Sequence, residues 1–209
     1  MASPQPSLPR RDLVESGDIV GRSCTRSCWR TELLAVRSRC AAEPTPSLDL
    51  DGVFELTGWR AGDAAAHRRF AEDPAAARFF GWTVSEARAA PDSHYVEEVR
   101  RFQREWRDGP RCSLAIRLRV DGQAVGAVEL RPTGETADVS FVVAPEWRGR
   151  GLAPRALLRM LDWGKRELGL RKARLECSAE NLASRRVAEK CGFVLESGEG
   201  DKLRFSLDL

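Results

Sequence analysis

The chain has 209 residues, of which 42% are hydrophobic and 31% are charged, and its formal net charge is +3. This composition suits one domain of ordinary size with an appendage, and it excludes a collagen-like chain, a disulfide scaffold or a wholly disordered protein. Basic and acidic residues are interspersed, so the sequence predicts no nucleic-acid partner. Apolar runs are too short for a membrane helix, and residues 1–30 lack the apolar core of a signal peptide, which predicts a cytoplasmic protein without a membrane partner.

Residues 1–48 differ from the rest of the chain. Proline, serine and arginine are scattered there, and apolar residues are too sparse for a sustained period, so we expect a mostly disordered leader. Cys24, Cys28 and Cys40 have the spacing C-x3-C-x11-C with no fourth ligand nearby, which is unlike the paired spacings typical of zinc sites. No metal is predicted.

From Asp51 onward the hydrophobic pattern is regular, which predicts one domain over 51–209. Asp63 is expected to cap its helix, and Asp121-Gly122 predicts a two-residue type I′ hairpin turn. The predicted elements, in chain order, are a strand at 53–60, helices at 63–70, 74–80 and 94–106, strands at 113–120, 123–131 and 137–143, a helix at 154–168, a strand at 172–178, a helix at 181–192, and strands at 193–196 and 202–207. This order predicts an α+β fold, with a mixed, mostly antiparallel sheet of about seven strands and helices on both faces.

Gly149 and Gly151 lie between an apolar strand and an amphipathic helix. A strand that leads through a glycine turn into a helix N-terminus presents free N–H groups and the positive end of the helix dipole, which is an arrangement that binds phosphate. The spacing alone is equally compatible with an ordinary strand-to-helix connection. The dinucleotide fingerprint and the P-loop motif are both absent from the sequence.

Three segments carry a resemblance to a known family. Residues 148–153 resemble the Q/R-x-x-G-x-G/A signature of the GCN5-related N-acetyltransferases. Residues 181–193 resemble the N-x-x-S-x-x-V-x-E-K-x-G-F segment of the subgroup that contains the ribosomal-protein alanine and serine N-acetyltransferases. Residues 138–145 are similar to the E-I-G-Y-W-V-x-P run of that subgroup, and the three segments follow the family's order.

The resemblance implies an acyl-CoA N-acyltransferase fold and an N-acetyltransferase domain over 51–209. It implies acetyl-CoA as co-substrate, no metal, and direct acetyl transfer in a ternary complex to an amine, either a protein N-terminus or a small molecule. Two strands would splay to hold the pantetheine arm, and a backbone N–H near Val142 or Val143 would stabilise the oxyanion. The residues that the resemblance assigns to acetyl-CoA are Phe141, Val142, Val143, Arg148, Gly149, Arg150, Gly151, Leu152, Ala153, Asn181 and Ser184.

Proton transfer needs a base for the amine and a donor for the departing thiolate. Asp138 stands where the subgroup often has Glu and is the first candidate base, with Glu129 as the alternative. The tyrosine that many family members use as acid is replaced by Ala188, so Ser184 is the candidate donor. Asp138 could instead be a solvated carboxylate at a strand edge, and Ser184 could be a hydroxyl that bonds to the backbone.

Other residues are expected to have structural roles. With two histidines in the chain, neither near the glycine loop in sequence, surface or packing roles are favoured for His67 and His94. Core packing is favoured for Trp82 and Trp106, with a place in an acceptor pocket as the alternative.

The sequence leaves the acceptor open, since specificity is expected in helices near 63–108 and in the loop at 197–201. A monomer and a homodimer are both compatible with it. The alternative function is a non-catalytic acyl-CoA-binding sensor or interaction domain with the same fold.

Overall fold

The computed structural model describes residues 45–209, so the leader's residues 1–44, with Cys24, Cys28 and Cys40, lie outside the described residues. No helix within 45–209 is both long and apolar enough to cross a membrane. The elements are β1 Leu48–Asp49, β2 Phe54–Thr57, a 3₁₀ turn Ala61–Asp63, α1 Ala64–Ala71, α2 Pro74–Phe80, α3 Val84–Ala89, α4 Asp92–Asp108, β3 Cys112–Leu118, β4 Ala124–Thr133, β5 Thr136–Val143, a 3₁₀ turn Pro145–Trp147, α5 Leu152–Leu168, β6 Lys172–Ser178, α6 Leu182–Lys190, β7 Val194–Glu199 and β8 Lys202–Asp208.

The strands form one sheet in the order β1-β2-β3-β4-β5-β6-β8-β7, in which every neighbouring pair is antiparallel except β5 and β6. The expected mixed, mostly antiparallel sheet is therefore confirmed, with eight strands rather than about seven. The additional strand is β1, where Leu48 pairs with Leu56. A two-residue strand has no periodicity of its own, so the pattern could not reveal it.

Helices pack on both faces of the sheet. Successive residues of a strand point to opposite faces, so one strand can contribute to an apolar cluster on each face. On β3, Leu114 and Ile116 belong to one apolar cluster and Ala115 to another. The first cluster packs under α5, whose buried positions include the apolar stripe seen in the sequence. The second packs under α1 and α4, through residues such as Phe70, Val99 and Phe102.

A buried ion pair joins the α1 side of the domain to the sheet. Arg117 on β3 is 1% exposed, and its guanidinium donates to both carboxylate oxygens of Asp63, at 3.0 and 2.7 Å. Arg117 also donates to the Gly122 carbonyl at 2.6 Å. Asp63 is the N-cap residue of α1, as expected, but its carboxylate makes no capping hydrogen bond to that helix. The carboxylate accepts instead from the Arg60 N–H at 2.7 Å and from Arg117.

The turn between β3 and β4 is longer than expected. The Leu118 N–H donates to the Gln123 carbonyl, so four residues form the loop, and Gly122 has a φ of 73° while Asp121 does not have a positive φ. A type I′ turn needs positive φ at both central residues, so that prediction is wrong. The Asp121 carboxylate instead accepts from the Gln123 N–H at 2.9 Å.

Helix α3 was absent from the expected elements, although the sequence carries a signal for it. Thr83 accepts from the Glu86 N–H at 3.1 Å, and Glu86 accepts from the Thr83 N–H at 2.8 Å. This reciprocal pair is a capping box, which fixes the start of a helix through local side-chain chemistry.

Candidate active site

Strands β5 and β6 separate part-way along their length. Their parallel pairing covers only Thr136–Asp138 against 172–174, and beyond this point the described strands diverge. The space between them is part of a cavity of about 450 Å³. We call this cavity the donor cavity; its lining includes Val139–Val143 of β5, Leu175–Ser178 of β6, the start of α5, and residues along α6 from Ala183 to Lys190.

The hydrogen-bond pattern of β5 shows which of its backbone groups face the gap. The Ala144 N–H donates to the Val125 carbonyl at 2.9 Å, and the β4–β5 register is continuous from there. Antiparallel residues alternate between bonding to their neighbour and facing away from it. Val142 therefore bonds to β4, whereas the N–H groups of Phe141 and Val143 face the donor cavity.

One end of the donor cavity meets the N-terminus of α5. Gly149 and Gly151 have φ values of 76° and 71°, and a Cβ at either position would meet no atom within 4 Å. Gly151 is the N-cap residue, and no side chain within 45–209 caps this helix. Leu152 and Ala153 line the cavity, so the first turn of α5 directs its backbone donors and its dipole at this space.

Arg148 lines the donor cavity, and its guanidinium is engaged with other groups of the protein. Its Nε donates to the Val143 carbonyl at 2.9 Å, and its Nη2 pairs with the carboxylate of Asp73. Asp73 is buried and also caps α2 by accepting from the Ala76 N–H at 3.0 Å. Burial alone would raise the pKa of Asp73, but the bonds from Arg148 and the Ala76 amide bring it below its usual value. Arg148 thus ties α2 to the glycine loop.

Arg150 lies outside the lining of the donor cavity. Its guanidinium stacks over the Trp147 ring at 4.7 Å, and its side chain is exposed. The structure therefore does not bring Arg150 into the donor cavity with its neighbours Gly149 and Gly151.

The opposite wall of the donor cavity carries the polar residues of α6. Asn181 caps this helix by accepting from the Ser184 N–H at 3.0 Å, and both residues line the cavity. Cys177 on β6 lines it too; burial raises the pKa of its thiol, and a hydrogen bond with Ser184 partly offsets that rise. The Ser184 hydroxyl is therefore held beside the gap between the strands.

A second cavity of about 250 Å³ adjoins the first. We call it the acceptor-side cavity. The two cavities share part of their lining: Ala76, Phe80, Ser140, Phe141 and Val142. The rest comes from α1, α4, β3, β4 and the segments that flank them, and includes Trp59, His67, Phe70, Trp82, Phe102 and Glu129.

Residues 54–194 match the family model described as "Acetyltransferase (GNAT) domain". The chain belongs to this family. Among curated proteins, it is similar to the spermidine N(1)-acetyltransferases of Escherichia coli K12, at 34% identity over 79 residues, and of Vibrio cholerae, at 33% over 72 residues. These matches cover 36% and 34% of this chain and 42% of each relative, so the chain spans less than half the length of these curated relatives.

Solved structures share the GNAT fold. A structure titled as the ribosomal L7/L12 alpha-N-protein acetyltransferase RimL has a TM-score of 0.66 at 15% identity, covering 80% of this chain and 97% of its own. The microcin C7 self-immunity acetyltransferase MccE, solved with acetyl-CoA and AMP, has a TM-score of 0.67 at 16% identity, covering 79% and 98%. At these identities the likeness establishes the fold.

The GNAT domain places the two candidate bases in different surroundings. Glu129 lines the acceptor-side cavity with 13% of its side chain exposed, and it contacts Arg111 at 3.3 Å, Arg131 at short range and the Ser140 hydroxyl at 3.4 Å. Asp138 lines neither cavity, is 46% exposed, and accepts from the Arg174 Nε at 3.0 Å. The alternative candidate is thus beside the acceptor-side cavity, and the first candidate is not.

His67 packs against Trp59, Tyr95 and Phe102, in keeping with the packing role expected for it, and both His67 and Trp82 also line the acceptor-side cavity. His67 lines the acceptor-side cavity, where burial, followed by the charges of His94 and Arg101, lowers its pKa to about 4. Trp82 lines the same cavity, whereas Trp106 packs against Trp163 in the core at 5.1 Å. No local pattern marks His67, because its position depends on where α1 packs.

Within residues 45–209 of the GNAT domain, no three histidine, cysteine, aspartate or glutamate side chains group as a metal site.

Proposed function

We propose that the chain is an acetyl-CoA-dependent N-acetyltransferase that moves the acetyl group directly to a primary amine in a ternary complex. One observation carries this proposal: the gap between β5 and β6 meets the uncapped N-terminus of α5 and adjoins a second cavity near a carboxylate. A long, phosphate-bearing thioester and an amine could meet there. Family membership, the names of the relatives, and the acetyl-CoA held by one similar structure support it.

On the donor side, we infer that backbone groups do most of the binding. The pyrophosphate would lie on the first turn of α5, where Gly149 and Gly151 leave room for close approach. The pantetheine arm would follow β5 as an extra strand. The Phe141 and Val143 N–H groups face its path, and one of them would stabilise the oxyanion when the amine attacks the acetyl carbonyl.

On the acceptor side, we assign proton removal to Glu129. The ammonium of the acceptor would give a proton to Glu129, directly or through the Ser140 hydroxyl that contacts it. The amine nitrogen then bonds to the acetyl carbon, and the carbon–sulfur bond breaks as the oxyanion collapses to the amide. The nitrogen releases its second proton to water in this step, while Ser184 donates a proton to the departing sulfur and recovers one from water, so that the products are the amide and the CoA thiol. Holding both reactants in adjoining cavities supplies much of the rate through proximity.

The glycine loop provides the first test of this function. We expect Gly151→Trp to abolish acetyl-CoA binding in calorimetric titration, because an indole would fill the space at the start of α5. Gly134→Trp is the matched control, since Gly134 also has a positive φ of 61° and open space around it, but lies in the β4–β5 turn. Equal acetyl-CoA affinity in the two variants would contradict the loop assignment.

The rival function is a non-catalytic acyl-CoA-binding sensor, and thiol release distinguishes it from the enzyme. We expect release of the CoA thiol when an amine is added to the acetyl-CoA complex. One-site acetyl-CoA binding without release across a broad panel of amines would favour the sensor.

We further propose a cytoplasmic location, supported by the thiol form of Cys177 and Cys191.

A further inference from the structure

The acceptor-side cavity is walled largely by aromatic rings. Trp59 stacks on Phe102 with ring centroids 5.0 Å apart, and His67 packs edge-on against both, at 5.7 and 5.3 Å. Nearer the surface, Phe80 stacks on Trp82 at 5.3 Å, with exposures of 47% and 37%. A stacked, exposed aromatic pair beside a cavity is apolar surface that a ligand can cover.

The polar atoms of both indole rings already have partners within the protein. The Trp59 Nε1–H donates to the Ser113 hydroxyl at 2.9 Å, and the Trp82 Nε1–H donates to the Ala71 carbonyl at 2.8 Å. His67 is neutral at pH 7, because its pKa is about 4. These rings therefore offer a ligand mainly their apolar faces.

The charged residues of the cavity are paired with one another. Glu98 accepts from Arg101 at 2.7 Å, and Glu129 is shared by Arg111 and Arg131. The lining itself holds three arginines and two glutamates, and Glu105, just outside it, pairs with Arg111 at 3.1 Å and supplies the balancing negative charge, so no carboxylate is in excess. Glu129 contacts the Ser140 hydroxyl, and Ser140 lines both cavities, so one ammonium group can lie beside this carboxylate next to the donor cavity. The other carboxylate of the lining, Glu98, is held by Arg101, so a second ammonium group would lose hydration there without a carboxylate to replace it.

We propose that the acceptor is a primary amine that carries an aromatic-sized apolar group and no second positive charge. This inference rests on the proposed function. The single ammonium lies beside Glu129, and the apolar group lies among the rings of Trp59, Phe80, Trp82 and Phe102. The same chemistry could come from a free aromatic amine or from a peptide with an aromatic N-terminal residue. A polyamine, which the named curated relatives acetylate, does not match this lining.

The test compares kcat/KM at saturating acetyl-CoA for phenethylamine, butylamine, spermidine and a short neutral peptide that begins with phenylalanine. We expect phenethylamine or the peptide to exceed both butylamine and spermidine by about tenfold or more, since aromatic contacts and ring burial favour the larger apolar group. Whichever of phenethylamine and the peptide has the higher kcat/KM shows whether the acceptor is a free aromatic amine or a peptide N-terminus. A spermidine or butylamine value equal to or above both would overturn the inference while the proposed function stands.

Two variants sharpen the assignment. Trp82→Ala is expected to lower kcat/KM for phenethylamine about tenfold and that for butylamine by clearly less, because butylamine has no ring to stack on the indole. Val194→Ala, at an exposed position on β7, is the control, with both values unchanged. Arg101→Glu frees Glu98 and reverses the sign of the lining charge, so spermidine acetylation should rise several-fold.

Unchanged selectivity in both variants would overturn the inference. Acetyl-CoA binding with no acetylation of any amine would instead overturn the proposed function.

Discussion

The donor cavity and the acceptor-side cavity lie side by side but offer a ligand different kinds of group, backbone in one and side chain in the other. The donor cavity presents backbone groups: the Phe141 and Val143 amides and the first turn of α5. The acceptor-side cavity presents side chains from several separate segments, from Trp59 to Val142. A backbone site depends on a few glycines and a strand gap, whereas a side-chain site can change with each substitution. The comparison indicates how one fold could keep a donor and vary its acceptor.

The largest effect on catalysis is expected from a residue that lines the acceptor-side cavity. Glu129→Gln should lower kcat about 100-fold or more, because a general base of this kind contributes about 10²–10⁴-fold, while acetyl-CoA affinity stays unchanged. Asp138→Asn is the matched control, because Asp138 lies outside both cavities, and its kcat should stay within about threefold of the unmodified chain. The measurement is steady-state kinetics with a pH–rate profile. The opposite ranking of the two variants would restore Asp138 as the base.

A smaller effect is expected where the two cavities are joined. Asp73→Asn keeps an N-cap for α2 but removes the charge that pairs with Arg148. Since α2 lines both cavities, we expect acetyl-CoA affinity and acceptor KM each to weaken by about three- to tenfold. Calorimetry and steady-state kinetics on the same preparation measure both. An effect on only one of the two would show that α2 does not couple them.

The smallest effect concerns the stability of the folded chain, and it comes from His67, which lines the acceptor-side cavity and not the donor cavity. The pKa of His67 is about 4 in the folded chain against 6.5 for an ordinary histidine, so the unfolded chain binds more protons between these values. The contribution of neutral His67 is present above pH 6.5 and is lost as the pH falls toward 4. In urea unfolding, the free energy of unfolding of the unmodified chain should fall by about 2 kcal/mol more between pH 7 and 4.5 than that of the His67→Gln variant. Parallel stability curves would refute this role for His67.

Local signals in the sequence were sufficient for much of the donor side. The apolar stripe of α5, the Asn181 cap of α6 and the glycine turn at 149–151 each depend on residues within one or two helical turns. Periodicity and capping act over that range, so the positions of these elements could be predicted without knowing the rest of the fold. The two-residue turn predicted at Asp121-Gly122 shows the limit, because the loop has four residues and its length depends on where the pairing of β3 and β4 ends.

The sequence by itself determined the order of the elements, the mixed sheet, the glycine loop before α5 and the family resemblance, because each rests on short-range periodicity, turn chemistry or a compact motif. Only the tertiary structure decided that β5 and β6 separate after Asp138, and that Arg148 binds Asp73, 75 residues away in the chain. It also decided that Glu129, rather than Asp138, lies beside the acceptor-side cavity. These features depend on which segments meet across the sheet, and contacts between distant segments leave no periodic mark in a single sequence.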